Sequence, residues 1–197
     1  MVSLNKNQTI SLKKQSTALS KLHFGLGWDP IKKEKKGFLS SLFGGITDSI
    51  DLDASCIMLD VNGKNIDEVW FCHLKSKCRS VIHSGDNLTG EGDGDDEVIK
   101  VDLTKLPFEV EYLVFTVNSF RGQTFNDVDN AFCRVLDQNN QELARYQLTE
   151  QGPHTGIIIA TLKRNGGSWD FTAQGFPCNG RTIKDIYPQI VEKVVKP

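Results

Sequence analysis

Most of this chain alternates apolar and polar residues with a period of two, a pattern that suits strands with one buried face and little else. Val2 and Leu4, Ile10 and Leu12, and Ile50, Leu52, Ala54 and Cys56 each skip one residue. Val69 and Phe71 follow a turn containing Asn62-Gly63, a hairpin signal because both residues tolerate positive φ. Further strands are expected over 22–28, 98–103, 111–119, 131–137, 142–148, 156–162 and 169–175, the last two joined by Asn165-Gly166-Gly167. Many short strands with little helix between them mean a β-sandwich or a barrel.

Two segments depart from this pattern. Over 181–197, Ile183, Ile186, Tyr187, Ile190, Val191 and Val194 form the apolar stripe of a C-terminal helix packed on a core. Pro188 lies within it, so a kink or two short helices is expected. Residues 31–49 read as an inserted basic and apolar loop, where Lys32, Lys33, Lys35 and Lys36 precede Phe38, Leu39, Leu42 and Phe43. No internal repeat and no Pro- or Ser-rich linker divides the 197 residues, so 1–197 is expected to be a single domain.

Composition narrows the function classes. With 39% apolar and 24% charged residues, the chain has enough apolar content for a core, which excludes a disordered protein. No apolar run approaches the ~20 residues of a membrane span, and the N-terminus lacks the apolar stretch of a signal peptide. Five cysteines, an odd number with no CxxC pair, fit reduced thiols in a cytoplasmic protein. Cys56, Cys72 and Cys133 fall in apolar strands and read as small core residues, as Trp28, Trp70 and Trp169 read as core anchors. His73, His83 and His154 lack a second ligand pair at zinc spacing.

The net charge of −2 hides one concentrated feature. Residues 86–97 carry six carboxylates and no Lys or Arg, so this stretch holds −6 within a chain that is otherwise basic. Neighbouring carboxylates about 5 Å apart repel by up to ~1 kcal/mol in water, and by more in a lower dielectric. A compact loop of this kind therefore calls for a cation. Ligands that are all oxygen select a hard ion, and Ca²⁺ accepts about 6–8 of them in flexible geometry. Gly90, Gly92 and Gly94 let the backbone turn sharply and present carbonyls. A phosphate-binding loop is excluded, because the run lacks a Lys-Ser/Thr ending and its charge repels phosphate. Asp51 and Asp53 flank Leu52 and so share one side of a strand, and Asp29 ends another strand.

With these pieces in order, the chain resembles the TerD family of tellurium-resistance and bacterial stress-response proteins. The matching residues are GLGWD at 25–29, DLDAS at 51–55, HSGDNLTGEGDGDDE at 83–97, VDL at 101–103, NAF at 130–132, ELARY at 142–146, and LKRNGGSWDF followed by AQGF. The resemblance implies a β-sandwich of two antiparallel sheets with calcium-binding loops at one end, holding two Ca²⁺ ions. Carried over by motif, the metal residues are Asp29, Asp51, Asp53, Asp86, Asn87, Glu91, Asp93, Asp95, Asp96 and Glu97. It further implies a calcium-binding module without catalytic activity, acting with protein partners in membrane-linked stress-response complexes, in the cytoplasm or at the inner face of the membrane. No nucleic-acid partner is expected. Two other readings stay open: a membrane-peripheral adaptor using residues 32–45, and a metal-dependent hydrolase centred on the acidic loop with His83 as base.

Overall fold

Strands whose alternate residues are apolar must bury one face, and here two sheets bury theirs against each other. The computed structural model describes residues 2–15, 19–30, 51–85 and 94–196, so the 31–49 insertion and residues 86–93 of the acidic run lie outside the described residues. The strands are β1 (Val2–Leu4), β2 (Thr9–Ser11), β3 (Lys21–Pro30), β4 (Leu52–Leu59), β5 (Asn65–Val69), β6 (Val81–His83), β7 (Glu97–Asp102), β8 (Tyr112–Ser119), β9 (Val128–Asp137), β10 (Glu142–Gln147), β11 (Gly156–Asn165) and β12 (Ser168–Cys178). Among the described residues the α-helices are α1 (Leu12–Gln15) and α2 (Ile183–Ile190). One sheet has the order β1-β10-β9-β3-β7-β6, the other β2-β12-β11-β8-β4-β5. The pairings are antiparallel except β1 with β10, which is parallel. This is the two-sheet sandwich expected from the alternation and the resemblance.

The core between the sheets takes Leu22, Phe24, Leu26 and Trp28 from β3, Ala54, Cys56 and Met58 from β4, and Leu113, Phe115 and Val117 from β8. Phe24 and Phe115 stack across it, with centroids 4.2 Å apart and planes 12° from parallel. A second core lies on the outer face of the other sheet. There Ile57, Leu59, Val114 and Ile158 meet Ile183, Ile186 and Ile190 of α2. All eight residues of β4 and of β8 are buried; α2 covers Ile57, Leu59 and Val114 on the outer face, so the alternation of Leu52, Ala54 and Cys56 gives way to an apolar run over Cys56–Leu59.

The structure refines several details. Where the internal proline called for a kink or two short helices, the structure has two short segments: α2, which carries Pro188 and ends at Ile190, and a wider, π-type turn over Val191–Val195. Pro188, the sixth of the eight residues of α2, removes one backbone hydrogen bond, and burial of Ile183, Ile186 and Ile190 holds the segment on the sheet. β5 ends at Val69, so Trp70 and Phe71 fall in the connection to β6, and Trp70 is only half-buried. Cys72 lies in that same connection and is exposed, unlike buried Cys56 and Cys133; all five thiols are free. Among the described residues no helix is long and apolar enough to cross a membrane.

Candidate metal centre

The strand ends expected to carry metal ligands gather where β3 finishes and where β4 and β7 begin. Two of the carboxylates, Asp96 and Glu97, are placed there by backbone N–H groups of β3 and β4. Leu26 pairs with Glu97, the first residue of β7, so Trp28 extends beyond the end of β7. The Asp96 carboxylate takes its place and accepts the Trp28 N–H at 2.9 Å, while the Asp96 N–H reaches the Leu26 carbonyl at 2.8 Å. Desolvation raises the Asp96 carboxyl above its ordinary range, offset in part by the Trp28 N–H, and the charges of Asp29, Glu97 and Asp95 push it further up. Three other expected site carboxylates therefore lie close enough to Asp96 to act on it.

Asp95 lies over β3 at Gly25, where any side chain would collide with its carboxylate. It is held there by Arg134 of β9, the residue across from Gly25, through Nε at 2.8 Å and an η nitrogen at 3.1 Å. Gly27 is crowded in the same way by the Phe132 ring and the Gly94 carbonyl. The two glycines of the GLGWD motif thus leave room for the returning acidic chain. Asp29, exposed at the end of β3, accepts a hydrogen bond from Asn130 Nδ2 at 2.9 Å and pairs in register with Asp129.

Asp51 and Asp53 are both buried, at 6% and 4% exposure. As the alternation predicts, Leu52 and Ala54 between and beside them enter the core. The Asp51 carboxylate pairs with Arg121 Nε at 2.9 Å, and its N–H is directed to Gln123 Oε1 at 3.3 Å. Glu97 has a different environment, fully buried within 3.4 Å of the fully buried His83 ring, and it accepts the Ala54 N–H at 2.6 Å. His83 Nε2 faces the Ala54 carbonyl at 3.1 Å, and its Nδ1 accepts the Gly85 N–H at 3.1 Å. Both ring nitrogens are engaged, and the side chain is fully buried.

Of the ten expected metal residues, Asp29, Asp51, Asp53, Asp95, Asp96 and Glu97 are described, while Asp86, Asn87, Glu91 and Asp93 lie outside the described residues. Among the described residues no three His, Cys, Asp or Glu side chains are grouped closely enough to hold an ion. Reasoning from sequence missed Arg121, Arg134, Asn130 and Asp129. Arg134 is an isolated basic residue within β9 and Arg121 lies in the turn after β8, and only the alignment of distant strands shows that they meet acidic partners.

The comparisons agree with this frame. The sequence matches the TerD domain family over residues 1–187. It is 67% identical over 196 residues to "Tellurium resistance protein TerZ" of Serratia marcescens, covering all of both chains. It is 45% identical to "Stress response protein SCP2" of Bacillus subtilis (strain 168), covering 96% of this chain and 99% of that one. Among solved structures, a homologue of telluride resistance protein (TerD) from Streptomyces coelicolor A3(2) has the same fold, with a TM-score of 0.67 at 20% identity over 86% of this chain and 96% of that one. The chain belongs to the TerD family of tellurium-resistance and stress-response proteins.

Proposed function

We propose that this protein is a calcium-binding, non-enzymatic module of the stress response that acts inside the cell through calcium-dependent contacts with protein partners. The observation that carries the reading is the half-buried Asp96 carboxyl, raised by desolvation and by the nearby charges of Asp29, Glu97 and Asp95. Such a group is relieved by a hard cation, and the donors on offer suit Ca²⁺: carboxylate oxygens, with loop carbonyls beside them. Asp29, Asp51, Asp53, Asp95 and Asp96 would hold the metal from the strand ends, joined by Asp86, Asn87, Glu91 and Asp93 from the loop, for two ions in all. Calcium supplies charge neutralisation and a fixed geometry for the loop. The protein's own residues supply the frame, since Arg134 and Arg121 hold Asp95 and Asp51 in place and Trp28 orients Asp96.

Metal that binds only the folded form raises its stability, by about 2.7 kcal/mol at 100 times the dissociation constant. Thermal melts in millimolar calcium and in chelator should therefore separate, and isothermal titration should return two ions per chain. Superimposed melts would overturn the reading.

A further inference from the structure

The acidic motif begins at His83 and ends at Glu97, and both residues converge on one backbone unit of the other sheet. Sheet topology gives the reason. β5 ends at Val69, across from Cys56, so among the described residues no strand pairs with that edge of β4 nearer its start. Ala54, two residues nearer the start, pairs with Val117 of β8 on its other side. Its N–H and carbonyl face that edge, where a buried, unpaired amide group would be costly. Two side chains from the opposite sheet fill the gap. Glu97 Oε2 accepts the Ala54 N–H at 2.6 Å, and His83 Nε2 meets the Ala54 carbonyl at 3.1 Å. Both side chains are fully buried and lie 3.4 Å apart.

The neighbouring residues close the base of the same excursion. The Ser84 N–H reaches the Val98 carbonyl at 2.9 Å, and the Val98 N–H reaches Ser84 Oγ at 3.0 Å. The imidazole is also oriented from below. Because Nδ1 accepts the Gly85 N–H, Nδ1 is unprotonated and the ring proton is on Nε2, directed at Ala54 and Glu97. Every contact is thus donor to acceptor: Ala54 N–H to carboxylate, Nε2–H to carbonyl, Gly85 N–H to Nδ1.

We propose that Glu97 is a positioning residue and does not ligate the cation: with His83 it forms a buried latch that takes the place of a strand partner, clips the base of the acidic loop onto Ala54, and so sets Asp51 and Asp53 at a fixed distance from Asp95 and Asp96. The latch concerns the calcium-free fold. Its consequence for metal rests on the calcium reading above, and the two are tested by separate readouts.

A ligand and a latch respond differently to conservative substitution. Glu97→Gln keeps an acceptor for the Ala54 N–H, whereas Glu97→Ala removes it. In calcium-free protein, hydrogen exchange should find the Ala54 amide protected in wild type and in Glu97→Gln, and about tenfold or more less protected in Glu97→Ala. Calcium titration of Glu97→Gln should return the wild-type number of ions. Loss of one ion in Glu97→Gln, with unchanged Ala54 protection in Glu97→Ala, would overturn the latch and make Glu97 a ligand. Should Glu97→Ala not fold, nitrogen-15 spectra of the His83 ring in the wild type still decide: the latch requires the Nε2–H tautomer, and a proton on Nδ1 overturns it. A wild type that binds no calcium would sink the metal reading and leave the tautomer and the Ala54 protection to judge the latch.

Discussion

At the scale of single residues, the candidate site depends on two glycines as much as on its carboxylates. Gly25 has no side chain because the Asp95 carboxylate occupies that space, and Arg134, directly across in register, clamps it there. A methyl at this point forces the carboxylate away from its partner. Gly25→Ala should cost about 1–3 kcal/mol in urea unfolding, from overpacking together with the weakened ion pair. If the clash acts through that pair, Gly25→Ala and Arg134→Ala should be non-additive in a double-mutant cycle, the double variant losing less than the sum. Additive losses would mean that Gly25 is constrained by backbone packing alone. The GLGWD motif was legible as a motif, but the reason for its first glycine was not, because Asp95 is 70 residues away in sequence.

At the scale of elements, the sequence reading was most reliable where a strong local pattern met a local cause. The β11–β12 hairpin turns at Asn165-Gly166-Gly167, with both glycines at positive φ. The C-terminal stripe forms α2, whose start is capped by Asp185: its Oδ2 accepts the Thr182 N–H at 2.9 Å and the Arg181 N–H at 3.0 Å. Asp185→Ala should cost about 1 kcal/mol, read as a lower melting temperature and faster amide exchange at the start of α2. The cap also carries a pH signature. Slight burial works to raise the Asp185 carboxyl, but the Thr182 and Arg181 hydrogen bonds and the Arg181 charge outweigh it and hold the group below its ordinary 3.8. The stabilisation is therefore present above pH 3.8 and lost as pH falls through the lower folded value, and Asp185→Asn should flatten that acid limb. Elements whose limits are set by distant partners were misjudged. Phe71 continues the alternation on paper, yet β5 stops at Val69, and Cys72 beyond it is exposed instead of lying in a core strand.

For the whole molecule, the sandwich is one cooperative body because both sheets close the same core. Phe24 and Phe115 stack at its centre, one from each sheet. Phe115→Ala should destabilise the fold by about 3–5 kcal/mol. Unfolding followed by tryptophan emission should remain a single transition coincident with circular dichroism, since Trp28 and Trp169 report on different sheets and both are buried. Two separated transitions would mean that the sheets unfold independently. The sequence by itself determined the alternation that demands paired sheets, the apolar stripe that demands a covering helix, and the list of carboxylates, because each is a short-range pattern of residue types. Only the tertiary structure decided which partners those carboxylates meet. Arg121 reaches Asp51, Arg134 reaches Asp95, and Glu97 with His83 reaches Ala54, through strand register and through the point at which β5 ends. Contacts of that kind follow from how distant strands align, and no local spacing encodes them.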